Sequence, residues 1–423
     1  VKPNVILLVL DTLREDHSSG LDNLLQMGFV KYTNAISSAP WTLPSHVSMF
    51  TGLPPSLHGI HEQKGMTIEK MFGPAASQMN KLNKGILGEL ESIGYTTYSL
   101  SANLLPTELS GFSSEFAWYY DTFRRHLFNK EEFEYWFGSK SKPSGSALAL
   151  ELVKNKWFGL AKDLYFSRNR LTNKFLQNLF SKYPIEKGSK KLLKLAVSLE
   201  YRSPFFLFMN LMEAHDPYFW NETTPRAVFA SVIGDDAYMA EWLKKYPVDR
   251  RYSVHSSVAV SRLVNGIMAL SKYFSNSVII VTSDHGQLIG ENFRYGHGYF
   301  LNDGLLRVPL YVKYPCGVRP LLSGKGYISL CQIPSIIRYC VLGDDVRFGA
   351  DTVFAESFGP QNNHKEQILT QEDAEKLDRA YSHRVKVYSH KGSMLYNVET
   401  DTIEESKGSL LKENVRDLLS VLA

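Results

Sequence analysis

Five places in the chain carry side chains able to do chemistry together. Asp11 ends "NVILLVLD", Thr42 stands in "APWTLPSH", His215 closes "PFFLFMNLMEAH", Asp284 and His285 follow "SVIIVTS", and His297 lies in "YGHG". Two carboxylates, an imidazole and a hydroxyl suit one divalent cation. The oxygen-rich set with one His accommodates Mn, Zn, Mg or Ca. Such a cation lowers the pKa of a hydroxyl and neutralises charge on a bound ester. The backbone donors of a helix opening near Thr42 would favour an anion at the same spot. A nucleophile, a Lewis acid and an anion site together suit displacement at phosphorus or sulfur.

Each residue also has an ordinary structural role open to it. Thr42, with Pro44 two residues on, matches a helix N-cap. Asp11 can bond a neighbouring turn, "SDHG" reads as a loop, and His215 and His297 can be satisfied structural histidines. Their shared position after apolar runs favours the chemical reading. Ser45 and His46 are adjacent, but no G-x-S-x-G elbow surrounds them, so a Ser-His-Asp triad is discounted.

The elements that must position these residues are legible in the pattern. "NVILLVLD" is short, apolar and β-branched, as a strand buried on both faces should be. "TTYSLSAN", "PFFLFMNLMEAH" and "SVIIVTSDHG" resemble it. Function collects at the carboxyl ends of such strands in an open α/β sheet. "NKLNKGILGELESIG" has helical spacing with Gly94 as a C′ cap, and "SSVAVSRLVNGIMALSKYF" has apolar residues at three- and four-residue intervals. The expected fold is a three-layer α/β/α unit with a large, mostly parallel central sheet over residues 1–348. A helical insertion is expected at about 128–199, opening with the loop "GSKSKPSGS". Its basic, aromatic stretch from Arg168 to Lys182 is read as packing on the sheet or covering the site rather than touching a membrane. From 349 to 423 the pattern becomes short strands and a closing helix, a small antiparallel α+β subdomain.

Composition narrows the function classes. A hydrophobic share of 44% and a charged share of 21% are those of a globular protein, and 423 residues can bury a large core. A net charge of +4 gives no basic stripe for nucleic acid. Three cysteines, Cys316, Cys331 and Cys340, form neither a disulfide framework nor a zinc knuckle, and are expected as buried free thiols. The chain does not open on a basic-then-apolar leader, and no stretch approaches a spanning length. The expectation is a cytoplasmic protein without a transmembrane segment.

Read in order, the motifs resemble the sulfatase branch of the alkaline phosphatase superfamily. "NVILLVLDTLREDH" is similar to the strand carrying a metal-binding Asp pair, and "TLPSHVSMFTGLPPSLHGIHE" to the C-x-P-S-R segment with its following TG-x-x-P-x-x-HG. "LESIGYTTYSLSAN", "PFFLFMNLMEAHDPY", "VTSDHGQLIGE" with "RVPLYVKYP", and "KGSMLYNVETDTIEES" resemble later family segments. The resemblance implies that Asp11, Thr42, Asp284 and His285 are metal ligands. It places Thr42 where sulfatases carry the Cys or Ser that becomes formylglycine. His215 matches a substrate-facing His, and His297 sits near a Lys or His that contacts ester oxygens or protonates the leaving group. His46, Asn103 and Arg14 are the substrate-binding candidates. Thr12 replaces the second Asp, His46 the motif's Arg, and "SAN" at 101–103 the Lys-x-His pair.

A Thr nucleophile is similar to that of relatives acting on phosphate esters, the phosphoglycerol transferases and the nucleotide pyrophosphatases. The latter need a second metal, to which His215, His297, Glu213 or Asp216 could contribute. Their spacing is not evident here, and one metal site is favoured. The resulting expectation is a metal-dependent hydrolase or phosphotransferase that cleaves phosphate mono- or diesters by in-line attack of Thr42 on a small anionic substrate. The alternatives are a sulfuric-ester hydrolase using unmodified Thr, and a catalytically weak member retained for binding or as a scaffold. Oligomeric state is not legible.

Overall fold

In the computed structural model, which describes residues 2–122, 124–138, 145–164, 186–219, 224–324, 326–361 and 364–420, the strand Asn4–Leu10 is buried along its whole length. Its side chains divide by parity. Ile6, Leu8 and Leu10 join one hydrophobic core and Val5, Leu7 and Val9 the other. A period of two with both faces apolar requires cover on both sides.

Eight strands form the main sheet, in the order Val30–Tyr32, Leu310–Lys313, Ser277–Thr282, Asn4–Leu10, Phe205–Leu211, Thr96–Ser101, Phe116–Asp121 and His126–Asn129. From Ser277–Thr282 to Phe116–Asp121 all neighbours are parallel, and the pairings beyond that stretch are antiparallel. On one face lie Val248–Ala269, through Tyr252, Val260, Leu263 and Ile267, and Ser189–Ser198, through Leu192 and Ala196. On the other lie Thr42–Thr51, Ile68–Lys81, Ile86–Ser92 and Ile333–Leu342. This is the expected three-layer α/β/α arrangement. A separate antiparallel sheet, Thr352–Ser357, Arg384–Ser389, Gly392–Asn397 and Thr402–Gly408, follows near the C-terminus, with the helix Lys412–Ser420 after it.

Several details differ from the pattern-based reading. The expected helix over 80–94 is two helices. Ile68–Lys81 ends before Asn83, Lys84 and Gly85, all at positive φ, and Ile86–Ser92 begins after them. The expected loop "GSKSKPSGS" lies, at 139–144, outside the described residues, and the chain before it is ordered into regular elements. His126–Asn129 pairs with Phe116–Asp121 as an edge strand, and Lys130–Gly138 and Gly145–Lys154 are helices. Phe128, Phe133, Leu152 and Leu160 build a satellite core against Ala117 and Tyr119. Ser189–Ser198 belongs to a helical layer of the main unit. The basic stretch from Arg168 to Lys182 lies outside the described residues. All three cysteines are free, but Cys316 is exposed; only Cys340 is buried. No helix among the described residues is long and apolar enough to cross a membrane.

Gly85 shows how tightly the layer around Thr42–Thr51 is set. Its φ and ψ, 59° and −136°, are essentially a glycine-only conformation. A Cβ there would meet the Phe50 carbonyl oxygen at 2.1 Å. Gly85→Ala is therefore expected to cost about 3 kcal/mol through backbone strain and overpacking together. Urea unfolding monitored by tryptophan fluorescence checks this, and a change below about 1 kcal/mol contradicts it.

Candidate active site

Four neighbouring parallel strands end at one place. Asn103 follows Thr96–Ser101, His215 follows Phe205–Leu211, Asp11 follows Asn4–Leu10, and Asp284 with His285 follows Ser277–Thr282. Thr42 enters from the helix Thr42–Thr51. It does not cap that helix. The N-cap is Trp41, extended and without a side-chain cap bond. The Thr42 hydroxyl instead lies 3.3 Å from His285 Nε2 and 3.5 Å from Asn103 Nδ2. The first turn offers fewer donors than expected: Pro44 has no N–H, and Ser45 N–H already reaches the Trp41 carbonyl at 3.3 Å.

Asp11 and Asp284 are both fully buried. Asp11 Oδ2 accepts from Asn103 Nδ2 at 2.8 Å and from Asn210 Nδ2 at 3.2 Å. Asp284 Oδ1 accepts from the N–H groups of Thr12 and His285 at 3.2 and 3.0 Å. The other oxygen of each, Asp11 Oδ1 and Asp284 Oδ2, has no hydrogen-bond partner among the described residues. Burial, and for Asp11 the neighbouring charge of Asp284, raises both carboxyls; that of Asp284 is pushed up to about 7.

His285 completes the set. Its Nδ1 lies 2.8 Å from the Gly286 carbonyl and so carries the proton. Nε2 is left as a lone pair 3.4 Å from Asp284 Oδ2 and 3.9 Å from Asp11 Oδ1. Burial lowers its pKa to about 4, which keeps it neutral. Asp11, Asp284 and His285 offer donor atoms within 4.8 Å of one another. Two orphaned carboxylate oxygens facing an imidazole lone pair fit one divalent ion, since buried carboxylates left unpaired cost several kcal/mol.

The remaining candidates occupy distinct positions. His46 is fully buried beneath the site, with Nδ1 donating to the Thr42 carbonyl at 2.8 Å and Nε2 accepting from Asn210 Nδ2 at 3.2 Å. Burial holds it near pKa 4. Both nitrogens serve the protein, so His46 supports Thr42 and, through Asn210, Asp11. Arg14 is likewise committed elsewhere. It is clamped by Asp16 at 2.9 and 2.7 Å and by Glu291, and donates to the Gln287 carbonyl at 3.1 Å. It anchors the loop after His285. Asn103 does reach the Thr42 hydroxyl, but its shorter bond is to Asp11. Ser45 donates to the Asp284 carbonyl at 2.7 Å and is no nucleophile for His46.

His215 and His297 form a second group with Asp216, again with donor atoms within 4.8 Å. The rings of His285, His297 and His215 run in sequence, each centroid pair 4.8 Å apart. His215 Nδ1 lies 2.6 Å from Asp216 Oδ1. Burial opposes the His215 charge, but Asp216 outweighs it and raises the pKa to about 9. His297 is the reverse case. Burial and the adjacent His285 and His215 hold it well below its usual range, and its Nδ1 donates to Gln287 Oε1 at 2.6 Å.

Some contributors escaped the sequence reading. Asn210, at the centre of the network, is the one amide inside "FFLFMNL", and a lone polar residue in a buried strand was the available signal. Thr12 has φ 61°, unusual for a β-branched residue, and its hydroxyl is buried without a partner among the described residues. Nothing in the sequence marks that strain. Glu62, fully buried, accepts from Trp41 Nε1 at 2.8 Å and from Ser357 Oγ and Phe358 N–H at 3.1 and 2.9 Å. It ties the residue before Thr42 to the end of the first C-terminal strand.

The comparisons with known proteins agree with this architecture. The family model described as Sulfatase matches residues 3–333. The chain belongs to the sulfatase family. No curated protein matches it. Among solved structures it is similar to the phosphonate monoester hydrolase of Silicibacter pomeroyi, at 13% identity and a TM-score of 0.55, over 100% of this chain and 94% of that one. A protein solved in complex with its substrate D-glucosamine-2-N,6-O-disulfate is 12% identical at a TM-score of 0.55, over 99% and 93% of the chains. A third, Ps i-CgsB in complex with k-i-k-neocarrahexaose, is 15% identical at 0.52, over 100% and 91%. At these identities the likeness is one of fold.

The raised carboxyl of Asp284 sets a pH dependence. It titrates near 3.8 in the unfolded chain and at about 7 in the metal-free folded protein. Its contribution to stability is complete below the lower value and is lost as pH rises through the upper one. A bound cation substitutes for that proton. The rise in Tm on adding Mn or Zn to chelator-treated protein is expected to be larger at about pH 8 than at about pH 5.5. Equal rises at the two pH values contradict the assignment.

Proposed function

We propose that this protein is a metal-dependent hydrolase or phosphotransferase of phosphate mono- or diesters, with Thr42 as the attacking group. The observation that carries the reading is the Thr42 hydroxyl, turned away from any capping role and set 3.3 Å from His285 Nε2 beside two carboxylates with free oxygens. Asp11, Asp284, His285 and Thr42 would hold one divalent ion. Bound there, it would supply charge neutralisation and a lowered hydroxyl pKa. Membership of the sulfatase family supports ester cleavage, and the fold likeness to a phosphonate monoester hydrolase supports phosphorus as a centre this scaffold serves. Threonine has no route to formylglycine from Cys or Ser, which favours phosphorus over sulfur.

Thr42 Oγ1 attacks phosphorus in line. Its proton passes to solvent, the Oγ–P bond forms, and the bond to the leaving oxygen breaks. His215, charged at neutral pH through Asp216, donates the proton that the leaving oxygen needs. His297 is neutral, with Nδ1 fixed on Gln287, so Nε2 is an acceptor. It takes a proton from the water, or acceptor alcohol, whose oxygen bonds to phosphorus as the Thr42 Oγ1–P bond breaks, and the departing Thr42 oxygen regains a proton from solvent. Asn103 and Asn210 hold Asp11 in place throughout, and His46 holds the carbonyl of Thr42.

A second reading, sulfuric-ester hydrolysis by unmodified Thr42, is favoured by the family match and by the likeness to a protein solved with a disulfated sugar. A panel of aryl sulfate, phosphate monoester and phosphodiester, each with Mn, Zn, Mg and Ca, separates the two. A phosphate ester is expected to be cleaved fastest; faster aryl sulfate cleavage would move the assignment to sulfur. Thr42→Ala is expected to lower kcat at least about 1,000-fold with the cation retained, and Thr42→Ser to keep measurable turnover. Undiminished turnover in Thr42→Ala sinks the nucleophile assignment.

A further inference from the structure

Lys187 is 1% exposed, a lysine with its ammonium inside the protein. It lies just ahead of the helix Ser189–Ser198, within the segment between the edge strand and Phe205–Leu211. Its Nζ donates to the carbonyl oxygen of His215 and lies 3.4 Å from that of Glu213. The ammonium also stands over the Tyr218 ring, 5.3 Å from its centroid. The anchor beneath it is equally buried. Glu213 Oε1 accepts from the backbone N–H of Lys187 and Ser189 at 3.3 and 2.9 Å and from Arg262 at 3.2 Å. The turn from Glu213 to Tyr218 therefore grips Lys187 through carbonyls, a carboxylate and a ring. Taking an ammonium out of water is costly, and its bonds to carbonyls offset that cost only in part.

What the ammonium does touch is the backbone of His215, whose side chain pairs with Asp216. We propose that Lys187 is a positioning residue for His215: it locks the carbonyl of His215 so that the His215–Asp216 pair faces the ester in one orientation. This rests on the reading of His215 as the group that serves the leaving oxygen. The charge of Lys187 also adds, after those of His215 and His297, to what holds the Asp216 carboxyl below its usual range. Among the described residues, the segment that the sequence marks as an insertion touches the backbone of His215 through Lys187.

The test compares Lys187→Met, similar in volume and uncharged, with wild type on two phosphate esters, one with a 4-nitrophenyl and one with an alkyl leaving group. A 4-nitrophenolate departs without a proton and an alkoxide does not. Lys187→Met is expected to lower kcat on the alkyl ester at least about tenfold, to leave the nitrophenyl ester within about twofold, and to add no loss in a His215→Asn background. Equal losses on both esters, or a full additional loss in that background, overturn the proposal. Thr42→Ala is run beside it. Retained turnover there refutes the enzyme reading itself, whatever Lys187 does. Inorganic phosphate binding by calorimetry gives a readout without turnover: an affinity about tenfold weaker in Lys187→Met is expected, and an unchanged one counts against the proposal. If Lys187→Met does not fold, Lys187→Gln carries the same measurements.

Discussion

Two carboxylates buried side by side, Asp11 and Asp284, constrain everything around them. In a low-dielectric interior each resists ionisation, and the charge of Asp284 adds to the cost for Asp11. The protein answers with fixed donors on one oxygen of each and, among the described residues, gives the second oxygen of each no hydrogen-bond partner. Even backbone strain is accepted for this. Thr12 sits at φ 61°, a conformation that costs about 1–3 kcal/mol for such a residue. There its N–H reaches Asp284 and its carbonyl accepts from Tyr252 at 2.7 Å. Strain of this kind persists only where the surroundings over-determine it, as two buried hydrogen bonds here do.

The same constraint divides the histidines by charge. His46 and His285, within the carboxylate network, are driven neutral by burial, and their protons sit on the nitrogens that face backbone carbonyls. His215 stands outside that network with a carboxylate of its own and stays charged. His297 lies between the two regimes and goes with the neutral pair. One charged and three neutral imidazoles thus follow from one residue type, set apart by neighbours.

Much of this was legible from the pattern because the fold advertises it. A strand buried on both faces must be apolar at every position, so "NVILLVL" and "SVIIVT" stand out, and the polar residue that ends each run marks the site. Roles that depend on direction were not legible. Nothing in "LREDH" tells that Arg14 turns to Asp16 and Glu291, and nothing in "PSH" tells that His46 points down to Asn210. Helix breaks at left-handed residues such as Asn83 and Lys84 also leave no periodic trace. The edge strand His126–Asn129 is too short to show alternation above noise.

Glu62 has a consequence for the order in which the molecule comes into being. Its carboxylate joins Trp41, at the threshold of the Thr42 helix, to Ser357 and Phe358. Gly298, beside His297, bonds the Pro40 carbonyl and accepts from the Gln361 N–H. Residues about 300 positions apart in the chain therefore close one seam. A ribosome making this protein from its N-terminus exposes Asp11, Thr42, Asp284 and His285 before it exposes Ser357, Phe358 and Gln361, which close that seam. Until Phe358 and Gln361 emerge, the nascent chain carries Glu62 and Gly298 without these two bonds of the seam.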